Sequence, residues 1–271
     1  MRNINIFILV LLSSIVSVAY GQGNIPEHLQ AISVTVKTPQ GTGSGTLVTR
    51  KIDGQNVTFV IGCAHVVDGL RKVRDTIDIK TGQVKKVVEF ADADILKQVV
   101  ENGRHVGDFT MKAKVIKYSD SELGDDLSVL MLRKKDFIKD GATFYLDGDK
   151  IVGVSTEVYH VGSLFGEFGS ASFMTGSISS VGRIIPLNNG VNTIVVDQVN
   201  VGAVGGSSGG GVFKKDGKLC GILVRGGGPS FGLMVPIRVI HKNFSDHNML
   251  WVIDPNVKAP TMKEIEAITV E

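Results

Sequence analysis

Three short stretches carry side chains that could act together on a carbonyl. His65 stands in Gly62-Cys63-Ala64-His65-Val66-Val67, directly after the apolar run at 57–61. Asp126 follows Asp125 and opens the apolar run at 127–132. Ser208 lies inside Gly205-Gly206-Ser207-Ser208-Gly209-Gly210-Gly211. A serine hydroxyl is a weak nucleophile until a base takes its proton. An imidazole titrating near neutrality suits that task, and a carboxylate fixes its tautomer and stabilises its charge. Glycines let backbone N–H groups approach the place where an oxyanion develops. Each stretch also has a plainer reading. The glycine run is a flexible turn, the histidine is structural, and the aspartate is a turn residue. The order of the three decides more than any one of them. Gly206-Ser207-Ser208-Gly209-Gly210 also satisfies the G-x-S-x-G elbow, but that elbow expects a helix after the serine and its histidine last. Here histidine and aspartate come first and a hairpin follows.

The elements that must position these residues read as short strands. Residues 32–36 alternate apolar and polar, as a half-buried strand does. Gly41-Thr42-Gly43-Ser44-Gly45-Thr46-Leu47-Val48 is a glycine-kinked entry into a strand. It is not a phosphate loop, because no Gly-Lys-Ser/Thr closes it and no helical pattern follows. Further strands are expected at 57–61, 111–117, within 154–161, at 193–196 and at 231–236. Residues 212–213 and 219–224 form a hairpin around Lys214-Lys215-Asp216-Gly217. Ile95, Val99 and Val100 have helical spacing, so a helix is expected over 91–102, and another closes the chain at 237–244. The charged stretch at 133–140 and the turn Asp147-Gly148-Asp149 mark a connection. Many short strands with a change of character there predict two β-barrels or sandwiches packed together.

Composition narrows the function. The 271 residues are 43% hydrophobic and 21% charged, an ordinary globular balance. A net charge of +2, with no basic stripe among aromatics, argues against nucleic acid as a partner. Arg2, the apolar run at 4–18 and Ala19-Tyr20-Gly21 have the form of a secretory signal peptide with its cleavage site. The run is short for a span of about 20 residues, so cleavage and a secreted or periplasmic location are expected. A membrane enters only through this segment, as an anchor if it is uncleaved. Cys63 and Cys220 allow one disulfide or two buried thiols. No zinc-ligand spacing occurs.

The chain resembles the chymotrypsin-like (trypsin-like) serine peptidases, and among them the protease domain of the bacterial HtrA (Deg) group. Gly43-Ser44-Gly45-Thr46-Leu47-Val48 is similar to the family's first-barrel G-S-G strand. Cys63-Ala64-His65-Val66-Val67 resembles its A-A-H-V-V motif. Asp126-Leu127-Ser128-Val129-Leu130 resembles D-L-A-V-L, and Gly206-Ser207-Ser208-Gly209-Gly210 matches G-[ND]-S-G-G. Gly162-Ser163-Leu164-Phe165-Gly166, Thr175-Gly176-Ser177-Ile178-Ser179 and Phe231-Gly232-Leu233-Met234-Val235-Pro236 are similar to G-x-P-F-G, T-x-G-I-V-S and the G-F-A-I-P closing strand. The likeness covers about residues 30 to 245.

The resemblance implies an all-β fold of two packed six-stranded antiparallel β-barrels with a short C-terminal helix. The expected division is a signal peptide at 1–21, an N-terminal barrel at 28–135 with an insertion at 71–118, a C-terminal barrel at 150–245 and a tail at 246–271. The resemblance implies His65 as general base, Asp126 as its orienter and Ser208 as nucleophile, with the N–H groups of Gly206 and Ser208 as oxyanion hole. Asp125 is the rival of Asp126, which is preferred because it abuts the apolar strand. Substrate-binding positions fall at Gly202, Ala203, Val224, Arg225 and Gly226. None carries a carboxylate, and a buried unpaired Lys or Arg costs several kcal/mol. A small or apolar P1 residue is therefore expected, while Arg225 could invite an acidic residue or point to solvent. The substrate is a polypeptide, and no metal or cofactor is implied. Two departures stand out. Ser207 replaces the usual Asp or Asn before the nucleophile, and no Ile-Val-Gly-Gly start is present for zymogen activation. The tail after Asp254 is too short for a PDZ domain. The alternative is a catalytically silent relative that binds peptides or partners. A third reading is an esterase using the same three residues.

Overall fold

The computed structural model describes residues 25–101, 104–147 and 151–271. The expected signal peptide and positions 148 and 149 of the expected turn lie outside them. After helix α1 (Ile25–Ala31), eight strands follow: β1 (Ser33–Thr38), β2 (Gly41–Ile52), β3 (Gln55–Gly62), β4 (Arg71–Ile77), β5 (Val84–Phe90), β6 (Ala93–Glu101), β7 (Arg104–Ser119) and β8 (Leu127–Leu132). Six of them close a barrel in the order β1-β2-β3-β8-β7-β6. The apolar residues of β3 are fully buried on both faces of the strand, and Phe59 meets Trp251 edge to face, with ring centroids 5.2 Å apart.

The helix expected over 91–102 is a strand. Residues of β6 pair with β1 on one side and β7 on the other. The β6–β7 register shifts between Val99 and Val100, and an irregularity of that kind breaks the period-2 pattern. The spacing of Ile95, Val99 and Val100 then imitates a helix. Within 71–118, β6 and β7 are thus barrel strands. Only β4 and β5 stand apart, as a two-stranded sheet whose base is tied by the Ala91 N–H to Leu70 O at 3.0 Å.

The second half holds β9 (Thr143–Phe144), β10 (Glu157–Leu164), β11 (Gly169–Leu187), β12 (Asn192–Val199), β13 (Gly211–Lys214), β14 (Lys218–Gly226) and β15 (Gly232–Pro236). They run β13-β10-β11-β12-β15-β14, and a β13–β14 pairing closes the ring. β9 adds to β14 in parallel. The two packed six-stranded barrels agree with the expected fold class. Helix α3 (Ile237–Asp246) follows β15 and is tied to the second barrel through Arg238, which donates to both oxygens of buried Asp197 at 2.7 Å. Cys63 and Cys220 are both free and buried.

Candidate active site

The pairing of β3 with β8 sets the first half of the site. Gly62, the last residue of β3, lies opposite Ser128 at the start of β8. The chain leaving β3 enters the single-turn helix α2 (Ala64–Val67), and the chain entering β8 passes through Asp126. His65 and Asp126 therefore meet. Nδ1 of His65 lies 2.8 Å from Oδ2 of Asp126 and 3.1 Å from Oδ1, and the His65 backbone N–H donates to Oδ1 at 3.0 Å. Asp126 has no exposed surface, while the His65 side chain is about one-third open. Asp126 sits at φ +54°, a left-handed conformation that aspartate tolerates better than most residues. Asp125 faces away, accepting from Asn243 Nδ2 at 2.7 Å.

The serine loop comes from the second barrel, between β12 and β13, and the first barrel holds it. The Ser44 N–H donates to Ser208 O at 2.7 Å, and Ser44 Oγ donates to Gly206 O at 2.7 Å. The same Oγ accepts from the Ser163 N–H at 2.7 Å. Phe165 N–H donates to Gly205 O at 2.7 Å, and Gly209 N–H to Leu223 O at 2.7 Å. Ser207, where the family usually has Asp or Asn, closes the loop on itself: its Oγ donates to Val204 O at 2.6 Å and accepts from the Val204 N–H at 3.1 Å. Gly206 has φ +91°, and a Cβ on it would lie 2.2 Å from Ser163 O.

This clasping leaves two N–H groups free. Among the described residues, those of Gly206 and Ser208 make no hydrogen bond. The 205–206 peptide is trans, so with Gly205 O turned to Phe165 the Gly206 N–H points the other way. The Ser208 hydroxyl rests on Val224 O at 3.3 Å, not on the imidazole.

A cavity of about 440 Å³ opens beside Ser208, walled by Ala203, Val204, Gly205, Leu223, Arg225 and Gly226. Of the five positions expected to meet substrate, Ala203, Arg225 and Gly226 line it. Gly202 does not; it is buried close to Met174. Nor does Val224, whose side chain is buried and whose carbonyl receives Ser208. The sequence reading missed Ser44, whose partner Gly206 is 162 positions away, together with Val204, Gly205 and Leu223. Only the glycine-serine pattern around Ser44 hinted at a role.

Cys63 Sγ lies within 4.8 Å of the His65 and Asp126 ligand atoms, the only such group among the described residues. Its thiol donates to Leu223 O at 3.2 Å, and burial pushes its pKa well up, which disfavours the thiolate a metal needs. Below the loop, His160 is fully buried with Nδ1 3.0 Å from Gly211 O. Its Nε2 is unpartnered among the described residues, and burial lowers its pKa to about 4.

Two closed β-barrels, one carrying the His65–Asp126 pair and the other the clasped serine loop, are the architecture of chymotrypsin-like serine peptidases. The description "Trypsin-like peptidase domain" matches residues 43–222. The chain belongs to this family. No significant match is found among curated proteins. Among solved structures it is similar to Deg5, at 17% identity over 85% of this chain and 95% of that one, with TM-score 0.57. The inactive form of Rv3671c protease from M. tuberculosis H37Rv aligns at 14% identity over 82% and 92%, with TM-score 0.56. A serine endoprotease from Yersinia pestis aligns at 16% over 82% and 64%, with TM-score 0.55. At such identities the likeness is one of fold.

Proposed function

We propose that this chain is an exported serine endopeptidase with Ser208 as nucleophile, His65 as general base and Asp126 as the group that orients His65. The observation that carries this is the buried Asp126 carboxylate held on His65 Nδ1 at 2.8 Å, which leaves Nε2 as the basic nitrogen. An extended polypeptide adds along residues 224–226, whose outer edge faces Ser208. Its P1 N–H takes Val224 O, which displaces the Ser208 hydroxyl from that carbonyl and frees Oγ to turn to His65 Nε2. Oγ attacks the scissile carbonyl as Nε2 takes its proton. The oxyanion falls to the free N–H groups of Gly206 and Ser208. The C–N bond breaks, the imidazolium protonates the leaving amine, and water repeats the sequence in reverse roles to free Ser208. None of these steps uses a metal or cofactor.

The cavity walls of Ala203, Val204 and Leu223 favour a small or apolar P1 residue. Residues 1–21 act as the export signal, 28–135 and 150–245 form the two barrel domains, and 246–271 are a tail. Among the described residues no helix is long and apolar enough to cross a membrane. A second reading is a latent or catalytically silent peptide-binding relative. It is favoured by the resting bond from Ser208 Oγ to Val224 O instead of His65.

Labelling the purified protein with a fluorophosphonate, and locating the adduct by mass spectrometry, separates the two. An adduct on Ser208 that disappears in Ser208→Ala and His65→Ala is expected. A folded wild-type protein that takes no label would overturn the peptidase reading in favour of the silent one.

A further inference from the structure

Arg225 is the one charged residue walling the cavity beside Ser208. Its guanidinium does not stay in the second barrel. Nη2 donates to Ser121 O at 3.2 Å and lies 3.6 Å from Glu122 Oε1. Ser121 and Glu122 belong to the first barrel, in the loop between β7 and β8 that leads to Asp126. Arg225 thus spans the cleft a substrate would occupy.

The grip on Glu122 is loose. At 3.6 Å it exceeds hydrogen-bond length, and the two side chains are 36% and 56% exposed. Glu122 Oε2 has another partner, the Asn188 N–H at 3.1 Å. A guanidinium carries five N–H donors in a planar fork suited to a carboxylate. Among the described residues only Nη2 of Arg225 is engaged. A fork with spare donors beside a displaceable carboxylate is built to exchange one carboxylate for another.

Substrate geometry says where the incoming carboxylate sits. Successive side chains of an extended strand point to opposite faces. With the P1 side chain against the Ala203, Val204 and Leu223 walls of the cavity, the next side chain toward the N-terminus points to the opposite side, toward the first-barrel loop at Ser121 and Glu122 where the Arg225 guanidinium lies. We infer that Arg225 selects substrates with Asp or Glu immediately N-terminal to the scissile residue, Glu122 holding the guanidinium until that acid arrives. This inference rests on the peptidase reading above.

The test uses the full-length protein and peptides identical except for Glu, Gln or Lys at that position, with Ala at P1. The wild-type kcat/KM ratio of Glu over Gln is expected to be roughly 10 to 100, the worth of a charge-assisted hydrogen bond. Arg225→Gln should bring the ratio to about 1, and Arg225→Glu should reverse it in favour of Lys, as charge recognition requires. Each ratio is internal to one protein preparation, so partial misfolding does not imitate it. Glu122→Gln, which removes the competitor and spares Arg225, should raise kcat/KM for the Glu peptide several-fold. A wild-type ratio near 1, a ratio that survives Arg225→Gln, or no gain in Glu122→Gln would overturn the inference. Fluorophosphonate labelling is read alongside. A labelled enzyme without acid preference defeats only this inference, and an unlabelled one defeats the peptidase reading beneath it.

Discussion

Ser44 Oγ and Gly206 O, from different barrels, lie 2.7 Å apart, and the same hydroxyl receives the Ser163 N–H at 2.7 Å. One buried side chain therefore joins the first barrel, the serine loop and the end of β10. Ser44→Ala leaves a buried N–H and a half-buried carbonyl without that partner. It should cost about 1–3 kcal/mol in urea unfolding and slow fluorophosphonate labelling of Ser208 roughly tenfold or more. Labelling at the wild-type rate would mean the hydroxyl supports only the fold.

Gly206 cannot carry a side chain for two separate reasons, its φ of +91° and the 2.2 Å approach of Ser163 O. Gly206→Ala should abolish labelling, because the peptide bearing the free N–H must move. Gly217→Ala is the control. It shares the positive φ (+81°), but its Cβ would meet nothing closer than 3.8 Å. It should cost about 1–2 kcal/mol and label normally.

Ser207 completes its loop as both donor and acceptor toward Val204. Ser207→Ala loses both bonds and should label more slowly, with a stability loss of about 1–2 kcal/mol. Ser207→Asp, although closer to the family pattern, should be worse. A carboxylate only accepts, so it would confront Val204 O in a buried site. Thermal melts of the two variants give the order.

His160 predicts acid sensitivity. Burial holds its pKa near 4, below the ordinary 6.5, so the unfolded chain binds this proton more readily than the folded one. The stability contributed by the neutral ring is complete above pH 6.5 and is lost as pH falls toward 4. Its size is about 3 kcal/mol. Urea unfolding between pH 7 and pH 4 should show this slope in the wild type. The slope should be reduced in His160→Gln, whatever that variant's stability at neutral pH.

Residues whose signal is local were legible. His65 and Asp126 stand at the edge of apolar strands and Ser208 breaks a glycine run, and strand pairing brings the first two into contact. The preference for Asp126 over Asp125 rested on its abutting β8, and the carboxylates do point to His65 and Asn243 respectively. What depends on distant chain was not legible. Nothing near Ser44 announces Gly206, and nothing near Arg225 announces Ser121, 104 positions away. The β6 strand was misread because its register shift disguised alternation as helical spacing. The free state of the cysteines is also a tertiary fact, since they belong to different barrels.

On the peptidase reading proposed above, the β4–β5 hairpin has a further consequence. Both barrels close their sheets, but residues 71–90 stand outside them with Ile77, Ile79 and Val84 open to solvent. In a concentrated sample each molecule would then also be bait for its neighbours, and this segment, outside both barrels, is open to them. A nick at the hairpin tip would leave both halves anchored at Leu70 and Ala91, with every barrel strand still paired. On that reading, self-digestion would convert the chain into a two-chain form before it destroyed it.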